Sequence, residues 1–93
     1  PLYLQGRYEE ANEIMRDHPL QGQAETIMKY VMTYGQLGDQ EQAMENWRRC
    51  LEVEPDWSAQ RMIDIFELWN FPEEHVEQFM EGVWKAGIPR PAS

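Results

Sequence analysis

The sequence predicts an all-α domain of about five helices stacked as antiparallel pairs, and three observations carry that expectation. Apolar residues recur at helical spacing along nearly the whole chain, with no strand-like alternation of any length. Glycines, prolines and capping residues punctuate the pattern at intervals of about a helix length. One stretch repeats another at an offset of 32 residues, which is the mark of stacked helix pairs.

The first helix is expected over residues 7–18, where Tyr8, Ala11, Ile14, Met15 and His18 fall on one face and Pro19 stops the run. The second is expected over 23–34, with Ala24, Ile27, Met28, Tyr30, Val31 and Tyr34 as a broad apolar face and Gly35 and Gly38 as its end. Asp39 is placed to cap the third helix, and Gln42 completes a capping-box spacing. Ala43, Met44, Trp47, Cys50 and Leu51 form its stripe, Pro55 and Asp56 close it, and Ser58 caps the next.

The fourth helix, over residues 59–69, is apolar nearly all round, interrupted chiefly by Arg61, Asp64 and Glu67. Such a helix predicts cover on more than one side. The fifth begins at Pro72, carries Glu73 and Glu74 in its first turn, and presents Val76, Phe79, Met80, Val83 and Trp84 as one stripe. Gly87 and Ile88-Pro89 end it, leaving residues 90–93 as a tail.

The repeat pairs Gly6-Arg7-Tyr8-Glu9-Glu10-Ala11 with Gly38-Asp39-Gln40-Glu41-Gln42-Ala43. Residues 24–57 resemble one complete tetratricopeptide unit. Tyr34 stands at its mid-helix aromatic position, Gly38 at the turn, Ala43 at the small contact position, Trp47 at the large aromatic and Pro55 at the close. Val31 departs from the pattern, which has a small residue there. The closing stretch, Val53-Glu54-Pro55-Asp56-Trp57-Ser58 and then Glu81-Gly82-Val83-Trp84-Lys85-Ala86-Gly87-Ile88-Pro89, resembles the C-terminal tetratricopeptide segment of proteobacterial class III adenylate cyclases and related multidomain signalling proteins. The resemblance implies an α-solenoid with a right-handed superhelical twist: a partial first repeat (1–22), a complete repeat (24–57) and a capping helix pair (58–89). It implies a non-catalytic scaffold for protein–protein interaction within a larger bacterial protein. The alternative it implies is a regulatory or dimerisation module of such a cyclase or of a transcriptional regulator.

Composition narrows the function classes. At 93 residues the chain is one small domain that buries roughly 60–65% of its unfolded surface. Seventeen acidic against eight basic side chains, a net charge of −9, argue against nucleic acid and against anionic membranes. Cys50 is the only cysteine, no run approaches the length of a membrane helix, and no signal peptide is visible. The cytoplasm is the expected compartment. The chain opens at Pro1 without Met and is expected to continue a longer protein.

No catalytic, cofactor or metal constellation stands out. His18 reads as a packing residue at a helix end, and His75 has no carboxylate at i±3 or i±4. Glu73, Glu77 and Glu81 share a face that reads as solvated, and Cys50, on the apolar stripe without a histidine at helical spacing, reads as an inert buried thiol.

By alignment with the full repeat, Glu25, Met28, Met32 and Gly35 are expected to line an inner concave groove, with Lys29 at its edge and Ala59, Met62, Phe66 and Trp69 continuing it. A Met-rich groove suits a peptide or helix from another protein, or another domain of the same polypeptide. Its residues exclude the family's chaperone-tail clamp, which needs Lys and Asn where this chain has Met28 and Met32. A one-residue shift of the fourth helix instead places Met62, Ile65, Phe66 and Trp69 in the core and keeps Arg61 and Asp64 out of it. Core is therefore favoured for Phe66 and Trp69, which leaves Glu25, Met28, Lys29, Met32 and Met62 as the candidate binding residues. The open N-terminal edge at Tyr8, Ile14 and Met15 is left for upstream residues or a second copy to cover.

Overall fold

Short-range chemistry cuts the chain into helices much where the sequence places them. The computed structural model describes residues 3–10 and 23–91. Within them lie α1 (Ala24–Leu37), α2 (Gln40–Val53), α3 (Ala59–Leu68) and α4 (Glu73–Lys85). Residues 8–10 are also helical, and no strand occurs among the described residues. The remainder of the first predicted helix, with Ala11, Ile14, Met15, His18 and Pro19, lies outside the described residues, as do Pro1, Leu2 and the last two residues of the tail.

Both predicted N-caps form. Asp39 Oδ1 accepts from the Gln42 N–H at 3.1 Å and Ser58 Oγ from the Arg61 N–H at 3.2 Å. Each satisfies a donor that the helix start leaves unpaired. Three helix ends share one closing pattern, in which two consecutive N–H groups reach back to carbonyls of the last turn. At α1 these are Gly38 to Gly35 (3.2 Å) and Asp39 to Tyr34 (3.0 Å); at α3, Asn70 to Glu67 and Phe71 to Phe66; at α4, Gly87 to Trp84 and Ile88 to Val83. The pivots Gly38, Asn70 and Gly87 have φ of 80°, 59° and 99°. Asn70 is the residue type that tolerates this left-handed backbone best after glycine. Gly35 does not end α1, as the sequence suggested; the helix runs through it to Leu37.

α1 and α2 form an antiparallel hairpin. Cys50, near the end of α2, brings its sulfur to 3.5 Å from the Ala24 carbonyl at the start of α1. Ala24, Ala43, Val31 and Cys50 are all buried, so Val31 is taken up inside the core at the position where the repeat has a small residue. Trp47 is only partly buried and packs on the core from outside, not within it as its repeat position predicts.

The second main neighbour of α1 is α4. The two helices meet at a pair of glycines. A Cβ built on Gly35 would lie 1.8 Å from the Gly82 carbonyl oxygen, and one on Gly82 would lie 2.1 Å from the Met32 oxygen. The backbones are therefore in direct contact, which only glycine allows. Ala86, one turn after Gly82 and buried, keeps the approach open. The chain folds back on itself to a radius of gyration of 12.2 Å, close to the roughly 12 Å of a compact chain of this length.

Candidate functional site

The predicted groove is closed. Met28, Met32 and Met62 are 0%, 4% and 2% exposed and belong to the main core cluster. Glu25 is half-buried and Lys29 exposed. The five residues do not form an open surface. The reason is visible at Gly35, which shares a helix face with Met28 and Met32. At Met32 and Gly35 that face meets the Gly82 backbone of α4. The position that the repeat alignment gives to a partner peptide is thus held by the chain's own last helix.

A second set of contacts ties the N-terminal segment to this seam. Tyr3 is buried, and its hydroxyl lies 3.0 Å from the Phe79 carbonyl and 3.1 Å from that of Gln78, the acceptors for its one proton. The same oxygen accepts from Gln36 Nε2 at 3.2 Å. Gln78 Nε2 returns bonds to the Tyr3 and Leu4 carbonyls. Gln36 Oε1 in turn accepts from Lys85 Nζ at 2.9 Å, and Lys85 pairs with Glu81 at 2.9 Å. Burial raises the phenol pKa far above its ordinary value, so Tyr3 stays neutral and serves as a hydrogen-bonding strut. Its ring stacks on Phe79 at 5.4 Å, and Phe79 stacks on Phe66 at 4.7 Å, so one aromatic column joins the N-terminal segment, α4 and α3.

Among the described residues the titratable groups show no reactive arrangement. Cys50 is fully buried, and burial pushes its thiol up to about 12, the opposite of what a nucleophile needs. Among the described residues no three His, Cys, Asp or Glu side chains converge as a metal site would require. Arg61, which the shifted register keeps out of the core, is exposed there; it pairs with Glu54 at 3.2 Å and covers the buried Trp57 ring from 5.4 Å. That contact is a surface cation–π clasp.

Among the described residues the most exposed large apolar side chains lie at the end of α3. Leu68 is 77% exposed and Trp69 57%. Ile65, one turn earlier on the same face, is half-buried. The expectation that neighbours enclose α3 on both sides fails here, and so does the placement of Trp69 in the core; Met62 and Phe66 do go inside, at 2% and 5%. The split has a local cause. The left-handed turn at Asn70 swings the chain back so that Phe71 packs edge-on against Phe66 at 5.5 Å. Phe71 takes the ground a core Trp69 would need, and the indole is left outside, tilted at 6.5 Å from the Phe71 ring. Asn70-Phe71-Pro72 carries the missing signal, because a turn residue followed by an aromatic is the Schellman pattern with its hydrophobic contact.

Comparison of the chain with protein-family models, curated proteins and solved structures found no match. No helix among the described residues is long and apolar enough to cross a membrane.

Proposed function

We propose that the chain is a non-catalytic protein–protein interaction scaffold of tetratricopeptide type, the C-terminal part of a larger bacterial protein working in the cytoplasm. The observation that carries this reading is the exposed Leu68–Trp69 pair on a helical body whose other large aromatics are buried or half-buried. A solvent-facing tryptophan beside a solvent-facing leucine is a pairing that protein contacts use as an anchor. The antiparallel α1–α2 hairpin, with Ala24 and Ala43 buried in it, supports a repeat-type origin for residues 24–57. The partner is a protein, a peptide or another domain of the same polypeptide, with no cofactor involved.

Photo-cross-linking tests the reading. A photoreactive residue is placed in turn at exposed Lys29, Glu45, Glu52, Leu68 and Glu77 of the protein expressed in its native host. Discrete protein adducts at one cluster of positions are expected; adducts at none of them would sink the scaffold reading. The likeness of the closing segment favours a second reading, a regulatory or dimerisation module of a cyclase or transcriptional regulator. A catalytic or DNA-binding domain encoded directly upstream of Pro1 would select it, and further repeats alone would reject it.

A further inference from the structure

We infer that the end of α3 is a docking knob for a short cationic amphipathic segment of another polypeptide, with Leu68 and Trp69 as the apolar anchor and Glu67, Glu73 and Glu74 as the charged rim. The inference rests on the scaffold reading and adds the site and the chemistry of the partner.

Position comes first. Ile65, Leu68 and Trp69 fall at i, i+3 and i+4, one face of the last turn of α3. They present a leucine and an indole side by side to solvent. The indole is held on that side by Phe66 and Phe71, whose ring centroids both lie 6.5 Å from its own. The indole therefore has part of its orientation set before a partner arrives, and less of its side-chain entropy remains to be lost on binding.

Charge selects the occupant. From Met62 to Trp84 the sequence has six carboxylates (Asp64, Glu67, Glu73, Glu74, Glu77 and Glu81) and no Lys or Arg. Asp64 is hydrogen-bonded to Gln60 and Glu81 is paired with Lys85. Glu67, Glu73, Glu74 and Glu77 are exposed and have no ion pair among the described residues. Glu67 is next to Leu68 in the chain, and Glu73 and Glu74 open α4 just past the turn that holds Trp69. An apolar anchor with an unneutralised acidic rim is complementary to leucine-type side chains flanked by Lys or Arg. A second copy is the wrong occupant. Two knobs facing each other would bring both acidic rims together without a cation between them, and like-charge juxtaposition of that kind opposes docking. The apolar area is also too small for a stable dimer. Two side chains offer on the order of 300 Å², against about 800 Å² per partner in a standard interface.

The test uses the full chain and three dye-labelled synthetic helical peptides of equal length: one of Leu and Lys, one of Leu and Glu, and one of Ser and Lys with the same charge as the first. Anisotropy titrations at low salt should show the Leu–Lys peptide binding at least about tenfold more tightly than either of the others, with an affinity that falls as salt is raised. Leu68→Ser with Trp69→Ser should reduce that affinity at least about tenfold while leaving the far-UV circular dichroism unchanged, since both side chains are outside the core. Glu67→Gln with Glu73→Gln and Glu74→Gln should weaken binding and flatten its salt dependence. Equal binding of the Ser–Lys peptide, or Leu–Lys binding indifferent to the Leu68/Trp69 change, would overturn the inference. So would sedimentation equilibrium showing self-association that the same change abolishes, because a second copy would then own the knob. Cross-links at Lys29 or Glu45 with none at Leu68 would remove this site and leave the scaffold reading standing.

Discussion

Two regions of this small protein handle apolar surface in opposite ways. At the α1–α4 seam, Gly35 and Gly82 remove side chains altogether so that backbone meets backbone, and Tyr3 fills the remaining space with every polar atom of its hydroxyl engaged. At the end of α3, a leucine and a tryptophan are left in water. Both regions are helix faces of similar apolar character in the sequence. What separates them is reach. The seam joins residues some fifty positions apart in the chain, as at Gln36 and Lys85, whereas the α3 end is governed by a turn within five residues of Phe66. A long-range contact closes the first, and a short-range one forces the second open. The apolar surface left open therefore lies at Leu68 and Trp69, the far end of the line that the repeat alignment draws, and not at Met28 and Met32.

The largest effect is expected at Gly35. An Ala there removes a helix-interior glycine, which by propensity alone stabilises by about 0.5–1 kcal/mol. If Gly35 faced an open groove, that gain would be the whole effect. With its Cβ 1.8 Å from the Gly82 oxygen, Gly35→Ala must part α1 from α4, and a loss of about 3 kcal/mol is expected from overpacking. Urea unfolding distinguishes the two by sign, and a stabilised variant would show that the seam does not form.

The Tyr3 hydroxyl carries the next largest effect. Tyr3→Phe keeps the aromatic column with Phe79 and deletes only the hydroxyl, leaving Gln36 Nε2 and two α4 carbonyls without that partner. A loss of about 1–2 kcal/mol follows from those unmet groups. Unchanged thermal unfolding would mean that the segment before residue 10 is not anchored on α4.

The same contrast explains what the sequence discloses. Caps and ends were legible because their chemistry is local: Asp39, Ser58 and Gly87 each satisfy a backbone group within a few residues. The inward faces of α1 and α4 were legible as well, since periodicity names Ile27, Val31, Val76 and Val83 and all four are buried. Periodicity does not say which element a face meets. The repeat alignment places Met28 and Met32 in a groove because it supplies a partner peptide there, and nothing local marks α4 as the true neighbour. The available hints were compositional. The apolar arc of α1 is wide enough for cover on two sides. A glycine inside a helical pattern, at both Gly35 and Gly82, signals close packing.

The smallest effect tests how far the polar chain extends beyond Tyr3. Lys85 joins the seam to the surface through Gln36 and Glu81, and hydrogen bonding from Lys85 holds the Glu81 carboxyl below its ordinary value of 4.5. A carboxylate whose pKa is lower in the folded state stabilises the fold above its unfolded pKa and loses that contribution as pH falls through the folded one. The stability of the parent protein therefore declines on acidification from about pH 5 downward in part through this group, and Glu81→Gln should remove that part of the slope. Both side chains are about half exposed, at 52% and 54%, so solvent screening limits the difference to a few tenths of a kcal/mol at neutral pH. Added salt should shrink it further, whereas the Gly35→Ala loss, which is steric, should not respond to salt. A Glu81→Gln effect comparable to that of Tyr3→Phe would instead mean that Gln36 and Lys85 are held as tightly as the buried hydroxyl, and that the seam reaches the protein surface.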